Sequence, residues 1–176
     1  MSSRKNLYRM VLAAMFLALA MVLPLLTGQL QQLGQALSPM HIPVLLCGFF
    51  CGPWYGLIVG FIAPILRFFL FGMPPLMPTG LAMAFELATY GCVSGLLYKL
   101  LPKKIPFIYV SLIGAMLAGR VVWGVVRAII AGVTHAEFGI QAFVVGAFTN
   151  AIPGIILHIV LIPAIVIALR KYTAKE

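Results

Sequence analysis

The sequence predicts an all-α integral membrane protein with six transmembrane helices and both termini in the cytoplasm. Three observations predict it. Of the 176 residues, 63% are hydrophobic and only 9% are charged, more apolar surface than a soluble domain of this size can hide. The apolar residues fall into six segments joined by short stretches, and roughly 20 apolar residues make one span. The basic residues outside those segments cluster at three places that an even number of spans puts on one side, as the positive-inside rule requires.

Segment one runs from about Tyr8 to Leu26. Arg4 and Lys5 precede it, as in a signal peptide, but the apolar run is long for one. No small-x-small cleavage site follows before Gln29, so it reads as a retained helix. Segment two is short, from about Met40 to Cys51, and Gly52-Pro53 breaks it. Segment three runs from about Trp54 to Phe71, and segment four from about Thr79 to Leu101, before Pro102 and a lysine pair. Segment five covers about Pro106 to Val133, and segment six about Gln141 to Leu169. The whole chain, 1–176, reads as one membrane domain.

The formal charge is +9, but its distribution excludes a nucleic-acid partner. Arg4, Lys5 and Arg9 flank segment one, Lys99, Lys103 and Lys104 lie around the junction of segments four and five, and Arg170, Lys171 and Lys175 close the chain. The loops then outside, about 27–39, 72–78 and 134–140, contain no Lys or Arg. The first is polar and uncharged, the second Pro-rich, and the third carries His135 and Glu137. Such loops either cover an outward-facing site or simply connect helices.

Two small-residue patterns suggest close helix packing. Gly48, Gly52, Gly56 and Gly60 recur every four residues, for packing within the chain or against a partner. Ala14 and Ala18 form a shallow Ala-x-x-x-Ala notch on segment one. Cys47 and Cys51 lie four apart and read as small packing residues, since no further ligands stand at metal-site spacing.

Four ionisable residues interrupt the apolar segments: Arg67, Glu86, Arg120 and Arg127. Holding a charge in a bilayer core costs roughly 2.5–3.5 kcal/mol on insertion scales, so they mark a functional site. Arg120 and Arg127 are two turns apart and share a face. Tyr90 shares a face with Glu86, and Trp123 lies between the two arginines. Asn150 and His158 lie roughly on one face of segment six. Glu86 pairs with one arginine or contacts a ligand. One carboxylate cannot neutralise three guanidiniums, and a residual positive field suits an anion, which arginine's planar fork binds. His158 makes either a helix–helix hydrogen bond or a ligand contact. Trp54, Trp123 and Tyr90 are packing residues or stack on a ring. His41 and His135 read as interfacial.

No phosphate-binding Gly-x-x-x-x-Gly-Lys-Ser/Thr loop is present, so this chain does not hydrolyse ATP itself. There is no His-Glu-x-x-His, no carboxylate pair within a span, no serine in an activating His-based arrangement and no evident internal repeat. These absences argue against an enzyme, a proton-relay pump and an inverted-repeat transporter. A stand-alone membrane enzyme using Glu86, His158 and the arginines, or a structural subunit, are the competing classes.

The run from His41-Ile-Pro-Val through Cys51-Gly-Pro-Trp-Tyr-Gly to Ala63-Pro64 resembles the substrate-binding S components of energy-coupling-factor (ECF) transporters. So do Gly72-Met-Pro-Pro-Leu-Met-Pro78 and Ala84-Phe-Glu-Leu-Ala-Thr-Tyr-Gly91. The resemblance implies a cell-membrane protein that binds a vitamin in a pocket opening outward and carries no cofactor of its own. It implies docking, through the Ala14 and Ala18 face, on a shared membrane coupling subunit with two ATPases that use ATP. It implies that the S component topples in the membrane to carry its cargo across. The substrate-binding set is then Arg67, Glu86, Tyr90, Arg120, Trp123, Arg127, Asn150 and His158. The arginine excess favours an anionic vitamin, pantothenate first, with folate, lipoate or nicotinate following the same charge logic. Riboflavin and pyridoxine are the aromatic alternatives.

Overall fold

The computed structural model describes residues 2–27, 37–135, 138–147 and 149–173. The described residues are helical almost throughout. In chain order the helices are α1 (Ser2–Val22), α2 (His41–Cys51), α3 (Pro53–Phe71), α4 (Leu81–Leu100), α5 (Ile105–Thr134), α6 (Ile140–Ala147) and α7 (Ile152–Thr173). Five of them are long and apolar enough to cross a membrane, α4 together with the turn before it, and α2 is a shorter apolar helix.

Two boundaries differ from the sequence expectation, each for a geometric reason. Segment two forms a helix of 11 residues. At 1.5 Å per residue it rises about 16 Å, roughly half of a 30 Å hydrocarbon core. The helix alone covers only part of that thickness, and its first residue, His41, is buried inside the bundle rather than at an interface. Segment six is not one helix either. It divides into α6, a 3-10 turn at Thr149–Ala151, and α7. Pro153 explains the start of α7: proline fits a first helical turn but cannot continue a preceding helix.

The frame is a helical hairpin pressed onto α4. Gly52, at φ 97°, makes the reversal between α2 and α3. That conformation favours glycine because a Cβ would be strained there. Beyond it α3 runs antiparallel to α2, so Gly48 and Gly56, either side of the turn, both lie against the backbone of Gly91 on α4. Gly60 lies against Leu87. A Cβ at any of these positions would strike α4 backbone, so the four-residue spacing serves packing within the chain, except at Gly52, which turns it.

The helix directions gather the basic residues of two clusters. The Tyr55 hydroxyl donates to the Asn6 carbonyl at 3.4 Å, which places the start of α1 beside the start of α3. Gly95, near the end of α4, packs against Gly48 and Gly52. The Gly52 turn, the N-terminal basic cluster and the α4–α5 junction with Lys103 and Lys104 therefore occupy one end of the bundle.

Candidate functional site

Glu86 on α4 is 1% exposed and sits at a meeting point of four helices. Its Oε1 accepts a hydrogen bond from the Tyr90 hydroxyl, one turn along the same helix, at 3.0 Å. The same oxygen pairs with Arg120 Nη1 of α5 at 3.0 Å. His41 Nε2, from the first residue of α2, stands 3.8 Å away, too far for a good hydrogen bond. The His41 ring lies 5.4 Å from the Tyr90 ring and 5.9 Å, nearly parallel, from the His158 ring on α7. Glu86 and Arg120 cancel in charge, so the centre is neutral and strongly dipolar.

Local sequence explains how this assembles. Ser38 accepts a hydrogen bond from the His41 amide at 3.0 Å and begins α2 there. Gly119 lies where a Cβ would enter the Tyr90 ring. Its lack of a side chain lets α5 approach α4 closely enough for the neighbouring Arg120 to reach Glu86.

Buried donors and acceptors usually find partners, and leaving one without costs about 1–3 kcal/mol. Here both ring nitrogens of His41, Nε of Arg120, Nε of Arg127 and Nε2 of His158 are buried without a hydrogen-bond partner among the described residues. These atoms lie on α2, α5 and α7.

Arg127 forms a second centre two turns along α5, about 10 Å from Arg120 at 1.5 Å per residue. Its guanidinium lies 5.8 Å from the Trp123 ring centre and 5.4 Å from that of Phe138. Trp123 in turn packs near Phe138 and Phe143, at 6.0 and 6.2 Å between ring centres. Among the described residues no carboxylate pairs with Arg127. Cation–π contact with the two rings holds the group in place.

Arg67 is placed elsewhere. Its Nη1 donates to the Met21 carbonyl near the end of α1 at 2.9 Å, and its guanidinium lies 5.1 Å from the Phe71 ring centre. Pro24, three residues beyond Met21, has no N–H for that carbonyl. Arg67 therefore serves as a C-terminal cap on α1, where the helix dipole also favours a cation.

The structure thus brings Glu86, Tyr90, Arg120 and His158 together and adds His41, which sequence reasoning placed at an interface. Trp123 and Arg127 form the neighbouring aromatic centre, with Phe138 and Phe143 as contributors that sequence reasoning missed. Asn150 lies in the turn before α7, and its side chain is outside the described residues. Glu137 and most of the first outer loop are also outside them. The signal that pointed to His41 was available: Ser38-Pro39 ahead of an apolar run marks a helix start, and a start in mid-bundle carries its first side chain inward.

Ala14 and Ala18 are exposed on α1, beside exposed Val11, Met15 and Val22, while Ala13, Phe16 and Ala20 face the core. The notch is open on the outer face of the bundle.

A family model described as "ECF transporter, substrate-specific component" matches residues 8–166. The chain belongs to that family: it is a multi-pass component of a cell-membrane transporter, a binding protein and not an enzyme. No curated protein and no solved structure matches it.

Proposed function

We propose that this S component captures a small carboxylate-bearing micronutrient from outside the cell and delivers it through a shared ATP-driven coupling module. The observation that carries the reading is the set of buried nitrogens on His41, Arg120, Arg127 and His158 that have no hydrogen-bond partner among the described residues. A carboxylate offers two acceptor oxygens and suits the Arg127 guanidinium, which meets no carboxylate among the described residues. Tyr90 and Glu86 hold Arg120 in place and leave its Nε for the ligand. Trp123, with Phe138 and Phe143, walls the anion from lipid.

Arg67 acts on the frame and not on the ligand. Pantothenate, small and singly charged, is the leading candidate on charge alone. Folate, lipoate and nicotinate meet the same requirement, and thiamin, a cation, does not. The site faces outward and both termini lie in the cytoplasm, which puts Lys103 and Lys104 inside as well. The Ala14 and Ala18 face docks on the membrane coupling subunit, whose two ATPases use the ATP.

The test is equilibrium binding of a vitamin panel to the purified protein. Saturable binding of a carboxylate-bearing vitamin supports the reading, and binding of cationic or neutral vitamins alone contradicts it. Ala14→Trp should abolish uptake in cells and leave that binding unchanged. Uptake that survives removes the docking face.

A further inference from the structure

One end of the bundle is strongly basic. Arg4, Lys5 and Arg9 on α1 and Lys99, Lys103 and Lys104 at the α4–α5 junction are all exposed there. Of the three acidic side chains in the chain, Glu86 is buried in the interior against Arg120, and Glu137 and Glu176 lie outside the described residues. Among the described residues none of these basic groups pairs with a carboxylate. The end of α2 stands between the two clusters. Its Phe49 ring meets Tyr98 of α4 edge-on at 5.1 Å, and its Phe50 ring stacks near Phe16 of α1 at 6.2 Å. Lys103 Nζ lies 5.7 Å from the same Tyr98 ring. The Gly52 turn follows directly, so positive charge flanks it on two sides.

What lies beside these charges limits the partner. Leu7 and Tyr8 stand exposed between Lys5 and Arg9, Leu100 beside Lys99, and Ile105 beside Lys104. Trp54, two residues past the Gly52 turn, is 75% exposed. Tyr and Trp rings settle where hydrocarbon gives way to headgroups. Charged and apolar side chains alternating within single turns fit the edge of a bilayer, where phosphates lie over acyl chains. An acidic protein surface would answer the charges and leave the apolar members bare. Each Lys or Arg at that level strengthens attraction to an anionic leaflet about fivefold. We propose that this end of the bundle binds the phosphate headgroups of anionic phospholipids, with one basic cluster on each side of the Gly52 turn. Lys99 stands about 20 Å along α4 from Glu86, so this face is separate from the nutrient site and does not rest on the carboxylate reading.

The test uses the full chain in nanodiscs of equal phosphatidylglycerol and phosphatidylcholine, with no vitamin present. The lipids that stay bound on release from the disc are counted by native mass spectrometry. Phosphatidylglycerol should be enriched over phosphatidylcholine at least about fivefold, the equivalent of one basic residue at the surface. Two triple variants each remove one cluster: Arg4→Gln, Lys5→Gln, Arg9→Gln on α1, and Lys99→Gln, Lys103→Gln, Lys104→Gln at the α4–α5 junction. These positions are exposed, where substitutions change stability little. Each variant should lower the enrichment severalfold.

Equal retention of the two lipids by the wild type overturns the proposal, and so does an enrichment that neither triple variant lowers. Inorganic phosphate added at constant ionic strength should leave the enrichment unchanged; displacement of the lipid would mean that the face takes free anions instead. An acidic polypeptide retained in place of phosphatidylglycerol, and lost from both variants, would assign the face to a protein and overturn the lipid reading. Vitamin binding is measured separately, so a failure here leaves the carboxylate reading standing.

Discussion

The two seams along α4 and α5 are built on opposite terms. Where α2 and α3 meet α4, glycines press backbone on backbone: Gly48 and Gly56 against Gly91, Gly60 against Leu87. Where α5 faces α7, a half-open groove remains, and buried nitrogens lack partners among the described residues. Without a hydrophobic drive between helices in lipid, close van der Waals contact is what holds a membrane bundle. The glycine seam supplies that contact and acts as the frame. The α5–α7 seam forgoes it, which is the condition for admitting a ligand.

Arg67 and Arg120 show the same contrast in one residue type. Arg67 is spent on a backbone carbonyl of α1, while Arg120 holds Glu86 and keeps Nε unfilled.

The comparison breaks most sharply at the glycines. Gly91→Leu should collapse the frame, because overpacking against rigid backbone costs about 3 kcal/mol or more. The expected readout is loss of the monodisperse peak in size-exclusion chromatography. A well-folded Gly91→Leu protein would mean that the seam is looser than drawn.

Next comes Arg120→Ala. It removes a charge-assisted contact and should weaken an anionic ligand by about 1.5–3 kcal/mol, measured by calorimetry. It also leaves Glu86 buried and unpaired, so the melting temperature should fall as well. Arg120→Ala,Glu86→Gln separates the two effects: it should recover stability and not affinity.

Arg67→Met should do the reverse. Losing the cap on α1 should cost about 1 kcal/mol of stability with ligand affinity unchanged, read by thermal shift beside calorimetry. The smallest effect is expected at Trp123→Leu, which removes a cation–π contact worth about 0.5–1 kcal/mol. Ligand affinity should drop a few-fold with little change in stability. A larger loss would place Trp123 in direct contact with the ligand.

Much of the fold was legible. Hydropathy marked the helices, and the i,i+4 spacing correctly joined Tyr90 to Glu86. What hydropathy does not report is helix length within an apolar run. The apolar run of segment two reads as a full span, although the helix that starts at His41 and turns at Gly52 has only 11 residues.

The arginines stood out in the sequence but could not be told apart. Whether Arg67 or Arg120 meets Glu86 depends on a long-range contact: Met21 near the end of α1 presents its carbonyl to Arg67, more than forty residues away in sequence. The same limit hid His41, whose depth follows from the tertiary placement of α2, and Phe138 and Phe143, which reach Trp123 only through the fold of α6 back onto α5.

The most direct measurement is mass spectrometry of the small molecules that co-purify with the wild-type protein, Arg67→Met and Arg120→Ala. The account predicts a carboxylate-bearing compound with the wild type and with Arg67→Met, and its loss from folded Arg120→Ala. A cationic or uncharged compound in all three, or a carboxylate retained by Arg120→Ala and lost from Arg67→Met, would contradict it.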